Sequence, residues 1–309
     1  MKNQNKRNVA ESIRARLLKI SKKRGEDFDY TLLKYATERF LYRLSKSEYN
    51  DKLILKGALL LTVVLKDSPY RVTRDIDFLG RASNSPEMIF KMLEAICQIE
   101  HETDGMTFDH TTIKIIETQE ANQYQGLRAK FLAFLGTARI NMQIDVGFGD
   151  RLHPAPAILD YPVLLNHEVP KIFSYPLVSV LAEKIEAIIS IGMVTSRLKD
   201  FFDIYIIAER FELSGDLLHT AVKSTFKNRN TPIPINEPEV LSPVVVHDST
   251  KRAQWNAFLR RNNLDTHALD FEKIVSVVNQ LTSVLWDLSL QKKGCTWKPG
   301  IGWATSGPK

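Results

Sequence analysis

The sequence is short of the residues that would commit it to several common chemistries. It has two cysteines, Cys97 and Cys295, among 309 residues. Their separation matches no metal or redox spacing and argues against a disulfide framework, which fits a reducing compartment. No apolar run approaches the roughly 18 residues of a membrane span. No apolar stretch follows the basic N-terminal segment, as a targeting peptide would require. A soluble cytoplasmic protein with no membrane partner is therefore expected. The seven histidines show no zinc spacing. There is no G-x-x-x-x-G-K-[ST] loop, no G-x-G-x-x-G turn and no G-x-S-x-G elbow, so P-loop, Rossmann and serine-hydrolase readings are unsupported. Internal repeats and low-complexity tracts are also absent.

What is present is an ordinary globular composition, 44% hydrophobic and 25% charged, with a net charge of +6. That length suits one large or two modest domains. Much of the positive excess lies in the first 24 residues, where Glu11 is the only counter-charge. A basic segment is compatible with nucleic acid and equally with a solvated helix face.

Apolar spacing predicts helices over residues 8–22, opened by a capping box from Asn8 to Glu11, and over 30–45. "KLILKGALLLTVVL" (52–65) reads as a short strand, a Lys56-Gly57 turn and a buried helix. "YRVTRDIDFLG" reads as a strand ending at Gly80, and a helix follows near 86–100. "TARINMQIDVGFGD" (137–150) alternates, with Ile140, Met142, Ile144 and Val146 on one face and Asn141, Gln143 and Asp145 on the other. Ser179 is expected to cap a helix to Ile191, and another helix covers 197–211. The proline-rich 231–243 is a loop. Helices near 251–262 and 270–290 precede a loose tail. The division expected is an α+β domain over 1–170 and a mostly helical one over 171–309.

The chemistry concentrates at "RVTRDIDF". Residues two apart on a strand share a face, which would put Asp75 and Asp77 together with Arg71 and Thr73. Two carboxylates so close repel unless a cation lies between them. A hard divalent ion such as Mg²⁺ suits carboxylate oxygens and keeps positions for water or phosphate. A bare D-x-D also fits a solvated strand end, with Arg71 or Arg74 neutralising the acids. The Gly57 turn ahead of it offers backbone N–H groups at a helix start, and Lys56 adds a charge. If the second alternating strand pairs nearby, Asp145 joins the two acids. In the helical half, Lys184 stands on the apolar flank of "LAEKIEAIISIG" and needs a partner, a polyanion or a route to water. Asp200 and Asp203 lie three apart in "RLKDFFDIYIIA", where a salt bridge to Lys184, Arg197 or Lys199 is the plainer alternative.

"LILKGALLL…RVTRDIDF", "NMQIDVGFGD" and "VLAEKIEAII…RLKDFFDIY" together resemble the AbiEii/AbiGii toxin family, nucleotidyltransferase-like toxins of bacterial toxin–antitoxin and phage-defence (abortive infection) systems. The resemblance spans about residues 8–260. It implies an α+β fold like that of the DNA polymerase β-type nucleotidyltransferases, with a mixed sheet carrying the acids, flanking helices and a helical C-terminal lobe. It implies that Asp75 and Asp77 hold Mg²⁺ and a nucleoside triphosphate, that Thr73 touches phosphate, and that Lys184 binds the triphosphate. Asp203, or else Asp200, would complete the site. Asp145 is either a further metal ligand or a structural acid. The acceptor implied is the 3′ end of tRNA, and the partner a cognate antitoxin. One departure is the turn: the family reads Lys-Gly-Gly or Gly-Ser, whereas this chain has Lys56-Gly57-Ala58 and supplies no hydroxyl there. "KRAQWNAFLRR" (251–261) joins the N-terminal segment as a candidate RNA-contacting surface. A metal-dependent nuclease and a non-catalytic nucleotide- or protein-binding module are the competing readings.

Overall fold

The computed structural model describes residues 2–66, 71–81, 83–119, 125–265, 268–287 and 294–305. The chain forms two compact units. The first takes residues up to Val64, Thr73–Gly149 and Pro156–Tyr175; the second takes Leu65–Val72, Asp150–Ala155 and the residues from Pro176 on. Among the described residues, no helix is long and apolar enough to cross a membrane.

In the first unit the helices are α1 (Lys2–Arg24), α2 (Phe28–Lys46), α3 (Gly57–Val64) and α4 (Pro86–Gln98). The strands are β1 (Leu53–Lys56), β2 (Ile76–Gly80), β3 (Met106–Gln119), β4 (Gln125–Leu135), β5 (Ala138–Phe148), β6 (Ala157–Asp160) and β7 (Lys171–Ser174). They make one mixed sheet in the order β3-β4-β5-β2-β1-β7-β6. β2 is central, antiparallel to β1 and parallel to β5. The alternation in β5 decides which face is packed. Ile140, Met142, Ile144 and Val146 are buried, while Asn141, Gln143 and Asp145 face the other way.

α2 packs on the buried face, and Phe40 meets Phe108 and Phe131 there with ring centroids 5.9 and 5.7 Å apart. Asp27 caps α2 by accepting from the Tyr30 amide at 2.8 Å. α2 also buries charge. Arg43 donates to Asp104 at 2.7 and 3.3 Å, and Arg39 lies 2.9 Å from Glu38. Glu38 is 1% exposed, and burial pushes its carboxyl up to about 7 although Arg39 and the Leu164 amide oppose the shift. The fold therefore favours protonated Glu38. Its contribution to stability is full below the unfolded value near ~4.3 and is lost as pH rises through about 7. Glu38→Gln is expected to remove that loss. In urea titrations from about pH 4.5 to 8, the wild type should lose on the order of 2–3 kcal/mol relative to the variant.

Several expectations need correcting. α1 begins at Lys2, so Asn8 lies inside the helix and forms no capping box; residues 2–7 are Lys, Asn, Gln and Arg, which on the whole a helix accepts. β2 begins at Ile76, so residues 71–74 belong to no strand. The strand argument that set Arg71 and Thr73 on one face with Asp75 therefore fails, and Arg71 falls in the second unit.

That unit holds α5 (Leu177–Ile191), α6 (Leu198–Arg210), β8 (Leu213–Ser214), α7 (Gly215–Asn228), α8 (Pro243–His247), α9 (Ser249–Arg261), α10 (Phe271–Thr282), β9 (Cys295–Lys298) and β10 (Gly302–Thr305). α5 starts after Pro176, whose φ of −60° suits a helix entrance. Ser179 is therefore within the helix, where its hydroxyl donates to the His153 carbonyl at 3.4 Å, and is not the cap. α10 stops at Thr282, short of residue 290, and a 3-10 turn follows over Ser283–Leu285. The tail is not loose across 295–305: β9 and β10 form a hairpin that adds to β8. Trp297 is buried and its indole donates to the Ala208 carbonyl at 2.8 Å. Residues 306–309, at the end of that tail, lie outside the described residues.

Candidate functional site

β1, α3 and β2 build the first group of residues. Lys56 ends β1 and Gly57 opens α3 with φ +69°, a conformation that favours glycine. The space there is also closed to a side chain. A Cβ on Gly57 would stand 2.1 Å from Asp77 Oδ2 and 2.7 Å from Asp77 Cγ. The carboxylate of Asp77 is thus set against the start of α3, and only a glycine lets it be there. The antiparallel register places Lys56 opposite Asp77. The Lys56 ammonium lies 5.4 Å from the Tyr175 ring centroid and beside Gly147, where a Cβ would come within 3.5 Å of it.

Asp77 and Asp75 are half-buried, with Ile76 and Phe78 buried in the core behind them. Asp75 sits at the bend just before β2. Tyr30 of α2 steadies that approach. Its phenol is hydrogen-bonded to the Thr73 backbone, and the Arg74 guanidinium lies 5.8 Å from its ring centroid. Burial raises the Tyr30 pKa, so the phenol keeps its proton.

Asp145 comes to the same row. β2 and β5 pair Asp77 with Asp145, and β4 and β5 pair Arg128 with Asp145. Arg128 holds both carboxylate oxygens: Nε donates to Oδ1 at 2.7 Å and Nη2 to Oδ2 at 2.9 Å. That bidentate bond raises the Arg128 pKa, and the charges of Asp75 and Asp77 add to it. So the strands pair as the third-acid expectation required, but the third acid faces a guanidinium. Among the described residues, no group of three or more His, Cys, Asp or Glu side chains is arranged to hold a metal ion. Asp75 and Asp77 are nonetheless the oxygen donors a hard divalent cation prefers.

The second group lies within the second unit. Lys184 on α5 donates to Asp200 at 2.8 Å and Asp203 at 2.6 Å, both on α6. Arg71 donates to both oxygens of Asp203 at 2.9 Å, and Arg197 to Asp200 at 2.6 Å. Both aspartates are 0% exposed. Burial alone would raise their pKa values, but Lys184 with Arg71 or Arg197 outweighs it and holds both below the usual carboxylate range. Burial alone would lower Lys184, and the two aspartates reverse that. The salt bridge that the sequence allowed as the plainer alternative is therefore formed. Arg71, Tyr30 and Arg128 escape the sequence reading in these roles. Of the three, only Arg128 carries a local signal, because it alternates with buried Leu127 and Ala129.

A mixed sheet with two aspartates on and beside its central strand, against a glycine turn into a helix, is the fold that the resemblance implies for nucleotidyltransferase-like proteins. The model of the nucleotidyl transferase AbiEii toxin family, type IV TA system, matches residues 39–277, and the chain belongs to that family. Among solved structures, a protein from H. pylori described as a nucleotidyltransferase aligns over 85% of this chain and 95% of its own, at 12% identity and a TM-score of 0.46. JHP933 from Helicobacter pylori aligns over 83% and 90%, at 12% identity and a TM-score of 0.44. No curated protein matches the chain significantly.

Proposed function

We propose that the chain is a Mg²⁺-dependent nucleotidyltransferase that moves a nucleoside monophosphate from a nucleoside triphosphate to the 3′ end of tRNA, and so blocks translation. The observation that carries this is the seat of Asp77 against the Gly57 turn, with Asp75 two residues before it. A row of acids beside a helix start suits a metal–triphosphate, because the acids favour the cation and the free N–H groups favour phosphate.

Asp75 and Asp77 would hold the divalent ion, which when bound lowers the acceptor hydroxyl's pKa and screens developing charge. Backbone N–H groups at the start of α3 orient the triphosphate, Lys56 supplies a positive charge beside it, and Thr73 donates to a phosphate oxygen. The acceptor 3′-oxygen attacks the α-phosphorus. The new P–O bond forms as the α–β anhydride bond breaks, pyrophosphate leaves with the electron pair, and the hydroxyl proton passes to solvent. The residues contribute mainly positioning and electrostatics. Arg128 keeps Asp145 neutralised beside the two acids, so Asp145 would join the metal only on releasing that guanidinium. The resemblance's roles for Lys184 as a triphosphate contact and for Asp203, or else Asp200, as a further site residue, and a cognate antitoxin as partner, belong to the same proposal.

The test incubates the purified chain with total bacterial tRNA, Mg²⁺ and each α-³²P nucleoside triphosphate in turn. Label in RNA is the expected result and identifies the nucleotide. Folded protein that labels neither RNA nor protein overturns the proposal, and RNA shortening without triphosphate would point to a nuclease.

A further inference from the structure

The open face of the β3-β4-β5 arm carries charge that the proposed chemistry does not use. The register sets Lys114 opposite Lys130 and Lys130 opposite Gln143, in the row next to the Arg128–Asp145 row. Leu132 then faces Asn141, and Phe134 faces Arg139. Lys114, Lys130 and Arg139 are exposed, and none of the three pairs with a carboxylate among the described residues. Phe134 shares the face of Lys130 and is half-exposed. The three cations are not scattered. A groove of about 750 Å³ is lined by Lys114, Lys130, Arg139, Asn141 and Gln143, and Asp75 lines it too. From Asp145 to Arg139 is six residues of strand, about 20 Å at ~3.3 Å per residue.

We infer that this groove seats the single-stranded 3′-terminal segment of the acceptor RNA, with the 3′ hydroxyl at its Asp75 end. The polarity of the strand, and only that, rests on the transferase reading. Phosphates match Lys114, Lys130 and Arg139 by charge. The amides of Asn141 and Gln143 suit base edges. Base edges and faces are open in an unpaired strand and closed in an A-form duplex, which is why the occupant is a single-stranded end. The cations steer the strand and leave the metal to the acids.

The test measures fluorescence anisotropy of a labelled single-stranded RNA oligonucleotide with the full-length chain, without triphosphate, across a salt series. The variant is Lys114→Glu, Lys130→Glu, Arg139→Glu. All three sites are exposed, and a thermal melt equal to wild type confirms the fold. Binding is expected to weaken at least tenfold, and the slope of log K against log salt to flatten by about 2, as for three phosphate contacts at ~0.7 each. The same charge change on α1, at exposed Lys19, Lys22 and Lys23, should alter binding less than about threefold. Three results overturn the proposal: no binding by the wild type, equal loss in the α1 variant, or equal affinity for a blunt duplex. Binding that behaves as expected beside a failed label-transfer assay would leave the groove standing and remove only the transferase reading.

Discussion

Asp77→Asn is expected to cut label transfer by at least about 10³-fold while the thermal melt stays at the wild-type value. The substitution keeps the volume that fits against Gly57, where a side-chain atom already stands close to the helix start. It removes only the charge. A loss of 10³ corresponds to about 4 kcal/mol of transition-state stabilisation, which is the scale on which a preorganised electrostatic group acts. Asp75→Asn should do the same, and the double variant should be little worse than either, because groups that act as a unit are not additive. Initial-rate transfer from the α-labelled nucleotide is the measurement. Activity within tenfold of wild type would place the chemistry elsewhere.

Lys184→Met is expected to destabilise the second unit by about 3–5 kcal/mol, the usual cost of removing one partner from a buried ion pair. Two fully buried aspartates would keep Arg71 and Arg197 but lose the cation they share. Urea unfolding of the intact chain reads this directly. Pairing the substitution with Asp203→Asn should recover part of the loss, since the second change removes one of the stranded charges. The outcome also separates two roles for Lys184. A stable Lys184→Met protein that fails in label transfer would mark the lysine as a triphosphate contact. A destabilised one marks it chiefly as the cation that lets α5 and α6 bury two acids.

The parts of this architecture legible in the sequence are those with strict local pattern. β5 alternates without a break from Ile140 to Val146, and Ile140, Met142, Ile144 and Val146 are 5, 2, 0 and 1% exposed. β1, Gly57 and α3 read correctly because a short apolar run, a glycine and a second apolar run have few other solutions. β3 and β4 announce themselves poorly. β3 is interrupted by a shift in register between Asp109 and Lys114, which breaks its period, and "RAKFLAFL" in β4 reads as well for a helix. The tail misleads for a different reason. Its glycines and proline look like a loop, yet Gly300 and Gly302, at φ +69° and +99°, shape a tight turn between strands whose tryptophans meet at 5.6 Å. In the site, Asp75, Asp77 and the glycine turn could be named from spacing. The partner of Asp145 could not, because Arg128 is on another strand and only the pairing of β4 with β5 brings it in. Asp200 and Asp203 could be named as salt-bridge candidates for Lys184, but only the packing of α5 on α6 selects that bridge.

The sheet that holds the acids is completed by a strand distant in sequence. β1 receives its second neighbour, β7, through a parallel pairing of Leu55 with Ser174 and a bond from the Tyr175 amide to the Leu55 carbonyl at 2.9 Å. More than a hundred residues separate those partners. Loop closure of that length, with parallel register, is among the slower events in folding. Until it happens, the apolar "LILK" of β1 is an open edge that can recruit another chain. A chaperone or partner that covers the β1 edge would therefore act on how fast the fold forms rather than on its chemistry.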